Sequence, residues 1–292
     1  MALEFRPARL EDREAVLAIS AQIWEGHDYL PEVWESWLHS PAGPLLVAVL
    51  DGRPVALSRI ELQGPAEAWL AGMRVAPAHC GKGIATALLA YTLEWLKAHH
   101  VPVSRFTTAS TNTPIHHMAA RFGFRLVAEV THVRRVLERG DPKQQPRTVQ
   151  ADEEEAAWAT FSASPFIQAT AGLYGAGWTW QRFTRERLRG HLQRGEVVAW
   201  GPGPAAMGIV AYRSPETPRV VAILTGGREA GLAIVRSLAC MPYADVDPDQ
   251  PAYIRLTVPH GMEDLAWIGR QVGMAPHQQF TMLVYQRDTQ ER

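Results

Sequence analysis

The feature that constrains this chain most is a repeat. Adding 150 to the residue number carries Pro54-Val-Ala-Leu57 onto Pro204-Ala-Ala-Met207, Ser104-Arg-Phe-Thr107 onto Ile254-Arg-Leu-Thr257, and Arg121-Phe-Gly-Phe124 onto Gln271-Val-Gly-Met274. Three matches in one register, each on the same kind of predicted element, imply a tandem duplication of one α/β unit and not a solenoid of short repeats. With 292 residues there is room for two such units, each burying its own core.

Hydrophobic periodicity supplies the elements within the first unit. LEFRPA reads as a strand and LEDREAVLAISAQIW as an amphipathic helix, followed by the loop EGHDYLP and a helix PEVWESWLHS that opens on Pro31. PLLVAVLDG and RPVALSRIEL are two strands joined at Asp51-Gly52, a hairpin signal. EAWLAGMRVAP is a further strand, GIATALLAYTLEWLKAHH a long helix, and VSRFTTAS a strand. TPIHHMAARFG is a helix closed by Gly123, and EVTHVRRVLE a last strand. The polar RGDPKQQPR, with two prolines, reads as a linker. The expected division is 1–138, a linker at 139–147, and 148–292.

Composition excludes several functional classes. The 29 basic and 30 acidic residues leave a net charge of −1, so nothing in the overall charge calls for nucleic acid or a membrane surface. Cys80 and Cys240 are the two cysteines, which leaves no disulfide framework and no paired-cysteine metal motif. The eleven histidines are scattered, and no metal site is expected. No run approaches the roughly 18 apolar residues of a membrane helix, and the first residues do not read as a secretory leader. The expectation is a cytoplasmic protein, monomer or homodimer, that works on small molecules.

The stretch VAPAHCGKGIATALL, Val75–Leu89, carries the chemistry. A strand that ends in a glycine turn and enters a helix exposes unpaired backbone N–H groups at the positive end of the helix dipole, an arrangement suited to phosphate or pyrophosphate. Gly81 and Gly83 permit close approach, and Lys82 adds charge at the rim. The bland alternative is that the two glycines only turn the chain. Neither the GxxxxGK[ST] pattern nor GxGxxG after the first strand is present.

With this turn following the fourth predicted strand, the chain resembles the GNAT acetyltransferase superfamily. That family's acyl-CoA motif, V-x-P-x-x-Q/R-x-x-G-x-G/A, is matched by Val75, Pro77, Gly83 and Ala85, with Cys80 in place of the Gln or Arg. Its second motif is matched by Asn112, Gly123 and Phe124. The resemblance implies an α/β fold of two tandem GNAT-like units, each a mixed, mostly antiparallel central sheet flanked by helices. It implies acetyl-CoA as cosubstrate, held by Met73, Arg74, Val75, Cys80, Gly81, Lys82, Gly83, Ile84, Ala85, Thr86 and Asn112. In the second half the same register sets Gly231 opposite Gly81 and Ala233 opposite Gly83, so that unit is expected to be degenerate and not to bind acyl-CoA.

The implied reaction is direct attack of an amine on the thioester, with Val75 or Arg74 N–H polarising the carbonyl. A base must take the amine's proton. The family's tyrosine acid, seven residues after the asparagine, is here Ala119, and a frequent base position is Thr107. Candidates for these roles are Glu61, Glu67, Asp28, Tyr29, His116 and His117, with Glu61 and Asp28 foremost as catalytic groups. Asp28 and Tyr29 are the candidate acceptor-binding residues, against the alternative that the Trp34/Trp37 stripe beside them is core. That loop and the two-unit layout are similar to histidine N-acetyltransferases, which makes a free amino acid the leading acceptor. A nucleophilic Cys80 is disfavoured, since covalent catalysis is foreign to the resembled family. The competing reading is a sensor that binds acyl-CoA or an amine without turnover.

Overall fold

A computed structural model of the chain describes residues 3–140, 144–175, 177–201, 205–211, 219–241 and 251–289. Pro204 of the repeat and residues 141–143 of the expected linker lie outside them. In chain order the elements begin β1 (Leu3–Pro7), α1 (Arg13–Ser20), α2 (Leu30–Leu38), β2 (Leu45–Leu50), β3 (Arg53–Leu62), β4 (Glu67–Val75), α3 (Ile84–Ala98), β5 (Val103–Ala109) and α4 (Thr113–Arg121). They continue with β6 (Arg125–Val136), β7 (Glu138–Arg139), β8 (Arg147–Thr148), α5 (Glu154–Ser162), α6 (Pro165–Ala169), β9 (Leu173–Gly175), β10 (Trp180–Arg182), α7 (Arg185–Gln193) and β11 (Val197–Trp200). The chain closes with β12 (Ala206–Ala211), β13 (Arg219–Gly226), α8 (Arg228–Leu238), β14 (Cys240–Met241), β15 (Tyr253–Pro259), α9 (Glu263–Gln271), β16 (Ala275–Pro276) and β17 (Met282–Asp288).

The chain forms two compact units, neither continuous in sequence: residues 1–106, 114–125 and 285–292 make one, and 107–113 and 126–284 the other. These units cut across the division 1–138 and 148–292 in two strands. Most of β6 belongs to the second unit, where it runs antiparallel to β15 from Tyr253↔Val136 to Pro259↔Val130. The last residues of β17 belong to the first.

In the first unit β1, β2, β3 and β4 are neighbours in an antiparallel run, and β5 adds parallel to β4. Both faces of this sheet are covered, which is why β2, LLVAVL, is apolar throughout. One face carries α3 through Ile84, Leu88, Leu89, Leu93 and Leu96, whose spacing follows the helix period. The other carries α1 and α2 through Val16, Ile19, Leu30 and Trp34. Asp51 (φ 50°) and Gly52 (φ 79°) make the β2–β3 hairpin as expected. At the end of α4, Gly123 takes φ 72°, and the Gly123 and Phe124 N–H groups donate to Ala120 and Ala119 carbonyls, a Schellman closure. The first predicted helix is shorter than its pattern: α1 stops at Ser20, and Trp24 lies in a tight turn outside it.

In the second unit β15, β13, β12, β11 and β8 follow β6 across the sheet. The 150-residue offset is kept by β5 and β15 and by α4 and α9, whose bounds match residue for residue. It fails in between. Eight residues, 76–83, separate β4 from α3, whereas Gly227 alone separates β13 from α8. The alignment of Gly231 with Gly81 and Ala233 with Gly83 is therefore corrected: the second unit has no counterpart of the glycine loop, and Gly231 is buried inside α8.

Candidate active site

The glycine turn is built as a cradle. β4 ends at Val75, a single helical turn covers Pro77–His79, and Gly81 (φ 76°) and Gly83 (φ 78°) both take the left-handed conformation that favours glycine. A Cβ placed on either would meet nothing within 4 Å, so the inner surface is open. No side chain caps α3, and its ladder begins with Ala87 N–H donating to Gly83 O at 3.0 Å. The N–H groups of Ile84, Ala85 and Thr86 precede that first bond and have no acceptor within the helix, so they remain for an anion. Lys82 is exposed at the rim. Cys80 turns its Sγ toward the carbonyls of Val75 (3.8 Å) and Ala76 (3.7 Å), a weak donor resting on the turn.

The strand feeding this turn leaves its neighbour early. β4 pairs with β5 at Glu67↔Val103, Ala68↔Ser104 and Trp69↔Arg105, and the ladder goes no further. Beyond Trp69, residues Leu70 to Val75 are all half-buried, whereas the equivalent β13 residues Ala222, Ile223 and Leu224 are packed into the second core. Against β3 the register steps from Leu57↔Arg74 to Arg59↔Ala71, so β4 holds one extra residue at Gly72–Met73. Such a bulge re-aims backbone groups beside a site. Gly72 is required there twice over: its φ is 65°, and a Cβ would lie 2.5 Å from the Trp37 ring of α2.

On the α1–α2 face, the carboxylate of Asp28 accepts from Arg74 Nε at 3.1 Å and Nη2 at 3.0 Å. The pair is enclosed, with side-chain exposures of 0% for Asp28 and 11% for Arg74. The guanidinium also lies 4.3 Å from the Trp24 ring centroid and 5.4 Å from that of Tyr29. Trp24 and Tyr29 are 58% and 39% exposed, and Trp24 and Glu25 hold φ of 47° and 57°, a strain that non-glycine residues carry only when their surroundings impose it. Asp28 and Tyr29 are thus brought together, with Arg74 as the link.

Glu61 stands apart from that cluster. It sits on β3 opposite Trp69, the last β4 residue paired with β5, and shares the strand face of Leu57, which packs toward α1 and α2. Glu67 is buried and ion-paired with Arg105, whose Nε also donates to Gln286 Oε1 at 2.7 Å. Trp34 is fully buried, and Trp37 packs beside the same core. Ala119 is buried, His117 is exposed, and His116 Nδ1 lies 3.0 Å from the Tyr285 hydroxyl. Asn112, in the segment grouped with the second unit, donates its amide to Thr108 Oγ1 at 3.0 Å.

Two contributors escape sequence reasoning. The pairing of Arg74 with Asp28 spans 46 residues, and Tyr285 and Gln286 reach the first unit from the far end of the chain. No local pattern announces either.

The comparisons bear directly on this half-open strand, bulge and uncapped glycine turn of a mixed sheet. Residues 12–124 match the acetyltransferase (GNAT) family model. The whole chain has the tandem form of the fold. A tandem GNAT protein from the clavulanic acid biosynthesis pathway superposes over 100% of both chains with a TM-score of 0.57 at 18% identity. A GCN5-related N-acetyltransferase of Sphaerobacter thermophilus covers 99% of this chain and 96% of its own, with a TM-score of 0.66 at 14% identity. Among curated proteins, a histidine N-acetyltransferase of Scomber australasicus is 36% identical over 108 residues, 36% of this chain and 32% of that protein. The human protein named probable N-acetyltransferase 16 is 38% identical over 108 residues, 36% of this chain and 29% of that one. The chain thus spans about a third of the length of these relatives. Among the described residues no helix is long and apolar enough to cross a membrane.

Proposed function

We propose that the protein is an acetyl-CoA-dependent N-acetyltransferase that acts on a small amine in its first unit. The observation that carries this reading is the open, uncapped glycine turn at the start of α3, directly after a β4 segment that is half-exposed. Backbone N–H groups of Gly81 to Thr86 fit a pyrophosphate, and a bulky anion requires the two glycines to lack side chains. Met73, Arg74 and Val75 flank the pantetheine arm, and a backbone N–H at Arg74 or Val75 polarises the thioester carbonyl. Nothing in Cys80 opposes this, because its thiol is turned to backbone carbonyls and the phosphate contacts are main-chain ones.

The amine attacks the carbonyl carbon directly and its surplus proton passes to a base. Glu61 is the base in this proposal: it is half-buried at the level where β4 leaves β5 and lies on the α1–α2 face. Asp28, with both oxygens taken by Arg74, acts by holding Arg74, Trp24 and Tyr29 in place as the wall of the acceptor site. The leading acceptor is a free amino acid such as histidine, a reading supported by the relatives named histidine N-acetyltransferases. The second unit, whose turn has no glycine loop, serves structure.

Ala119 favours the one rival worth carrying, a sensor that binds acyl-CoA without turnover. Thiol release from acetyl-CoA against free amino acids, polyamines and aminoglycosides, with calorimetry of CoA binding in parallel, separates the two. Turnover with one acceptor is expected. CoA bound at one site per chain with no turnover on any amine would replace the enzyme with the sensor.

A further inference from the structure

On β3, Leu57, Arg59 and Glu61 alternate onto the face that packs toward α1 and α2, while Ser58 points the other way, to Thr92 of α3. Leu45, opposite Arg59 on β2, lies in the same α1–α2 core. A guanidinium is thereby placed inside an apolar layer, and Arg59 is only 2% exposed. Its Nη1 donates to the carbonyl of Gly43. Ile60 N–H donates to Pro44 O at 3.0 Å and Leu62 N–H to Ala42 O at 2.6 Å, so Gly43 runs beside Glu61. The bond to Gly43 therefore draws the Arg59 side chain along the strand toward the level of Glu61.

The other edge of the guanidinium is unfilled. Nε is buried without an acceptor, and among the described residues Nη2 has none either. Nε and Nη2 form the same fork by which Arg74 holds Asp28, a geometry that matches two carboxylate oxygens. Glu61 does not supply them. Burial lowers the pKa of Arg59 and the Glu61 charge offsets part of that, yet the two form no ion pair, and Glu61 has no other partner among the described residues. An enclosed charge left unpaired is costly. A second buried donor of this layer, Trp34 Nε1, also lacks an acceptor, so the deficit here is one of acceptors, which a bound anion supplies.

Resting on the function proposed above, we infer that Arg59 recognises the carboxylate of the acceptor, which makes the acceptor class free α-amino acids and sets aside polyamines, aminoglycosides and other amines without a carboxylate. The placement suits that class. Ala71 of β4 lies directly opposite Arg59, contributes only a methyl group, and is the second residue past the point where β4 leaves β5. Opposed residues on one sheet face stand about 5 Å apart, and in an α-amino acid the amine is two bonds from the carboxylate carbon. A carboxylate on the Nε–Nη2 fork leaves the ammonium between Glu61 and the β4 backbone that flanks the thioester. Glu61 is then placed to take the proton that the amine must lose.

The test measures kcat/KM of the full chain with acetyl-CoA for L-histidine, L-histidinamide and histamine, and for any other free amino acid it accepts against that amino acid's amide. Wild type should favour the carboxylate form by about 100-fold, the value of a charge-assisted pair of hydrogen bonds. Arg59→Met should bring that ratio near one, with most of the loss in the acceptor KM, and the KM for acetyl-CoA should stay within about twofold. Arg59→Lys, which keeps the charge without the fork, should hold an intermediate ratio. An Arg59 that only braces the Gly43 loop would lower both forms by one factor and leave the ratio unchanged, and that result overturns the assignment. So does a wild type that acetylates the amide or histamine as fast as the acid, a comparison that needs no variant to fold. Turnover of polyamines or aminoglycosides but of no free amino acid sinks this inference and leaves the N-acetyltransferase standing. CoA binding with no turnover of any amine removes that function as well.

Discussion

Asp28→Asn separates two roles that the sequence leaves merged. The side chain keeps its shape and loses its charge, and the Arg74 guanidinium, 11% exposed, then lies against a neutral amide. Breaking an enclosed ion pair by removing one partner costs about 3–5 kcal/mol. Arg74 keeps its bond to the Met73 carbonyl at 3.0 Å and the Trp24 face at 4.3 Å, so the lower end applies, about 3 kcal/mol. At about 2–4 °C per kcal/mol, the thermal midpoint falls by roughly 6–12 °C. Tryptophan fluorescence follows the change, since Trp24 and Trp37 adjoin the pair or its neighbour Tyr29. The double variant Asp28→Asn/Arg74→Met should be more stable than Asp28→Asn alone, because the uncompensated charge is gone. Acceptor KM should rise while kcat at saturation changes little. If instead stability is untouched and kcat drops by about 100-fold, Asp28 is the base and the positioning argument is wrong.

Gly83→Trp should abolish acetyl-CoA binding in calorimetry while circular dichroism shows a folded protein, because the added side chain fills an open cradle. Gly231→Val should do the reverse, since a Cβ there lies 3.0 Å from Ile268 Cδ1: the second unit loses stability and CoA affinity is unchanged. His132, 4% exposed in the second unit, has its imidazole pushed down to about 4 by burial first and by the Arg255 and His277 charges next. Folded His132 is neutral and unfolded His132 titrates near 6.5, so its stabilisation is complete above that pH. It is lost at about 1 kcal/mol per unit as pH falls toward 4. Denaturant midpoints across pH 7 to 4 measure the slope, which His132→Gln should flatten. Gln286→Ala removes the acceptor on Arg105 Nε and should cost about 1–3 kcal/mol in urea unfolding, placing the C-terminal strand within the first unit's cooperative structure.

Several of these effects turn on parts of the molecule that could be read before any fold was known. The hairpin at Asp51-Gly52 and the Gly123 helix end are local chemistry, set by which residues tolerate a left-handed backbone. The α3 core stripe is likewise local periodicity. The glycine turn belongs with them, because both the turn and the N–H groups it exposes come from adjacent residues. Other readings needed through-space information. Glu67 looked as available as Glu61 until Arg105, 38 residues away, was found bonded to it. Asp28 looked like a free charge until Arg74 enclosed it. In the second half a constant offset aligned Gly231 with Gly81, although deletions and insertions had cancelled by β15 and hidden the lost loop.

The sequence by itself therefore determined the repeated α/β unit, the order of strands and helices in the first half, and the glycine turn ahead of α3. Periodicity and glycine stereochemistry act over a few residues and survive without knowledge of neighbours. Only the tertiary structure decided which carboxylates are already paired, and that β4 is open while β13 is packed. It alone brought Tyr285 and Gln286 into the first unit beside residues about 170–180 positions earlier. Strand insertion and burial of charge depend on what the rest of the chain packs nearby, and sequence spacing carries no record of that.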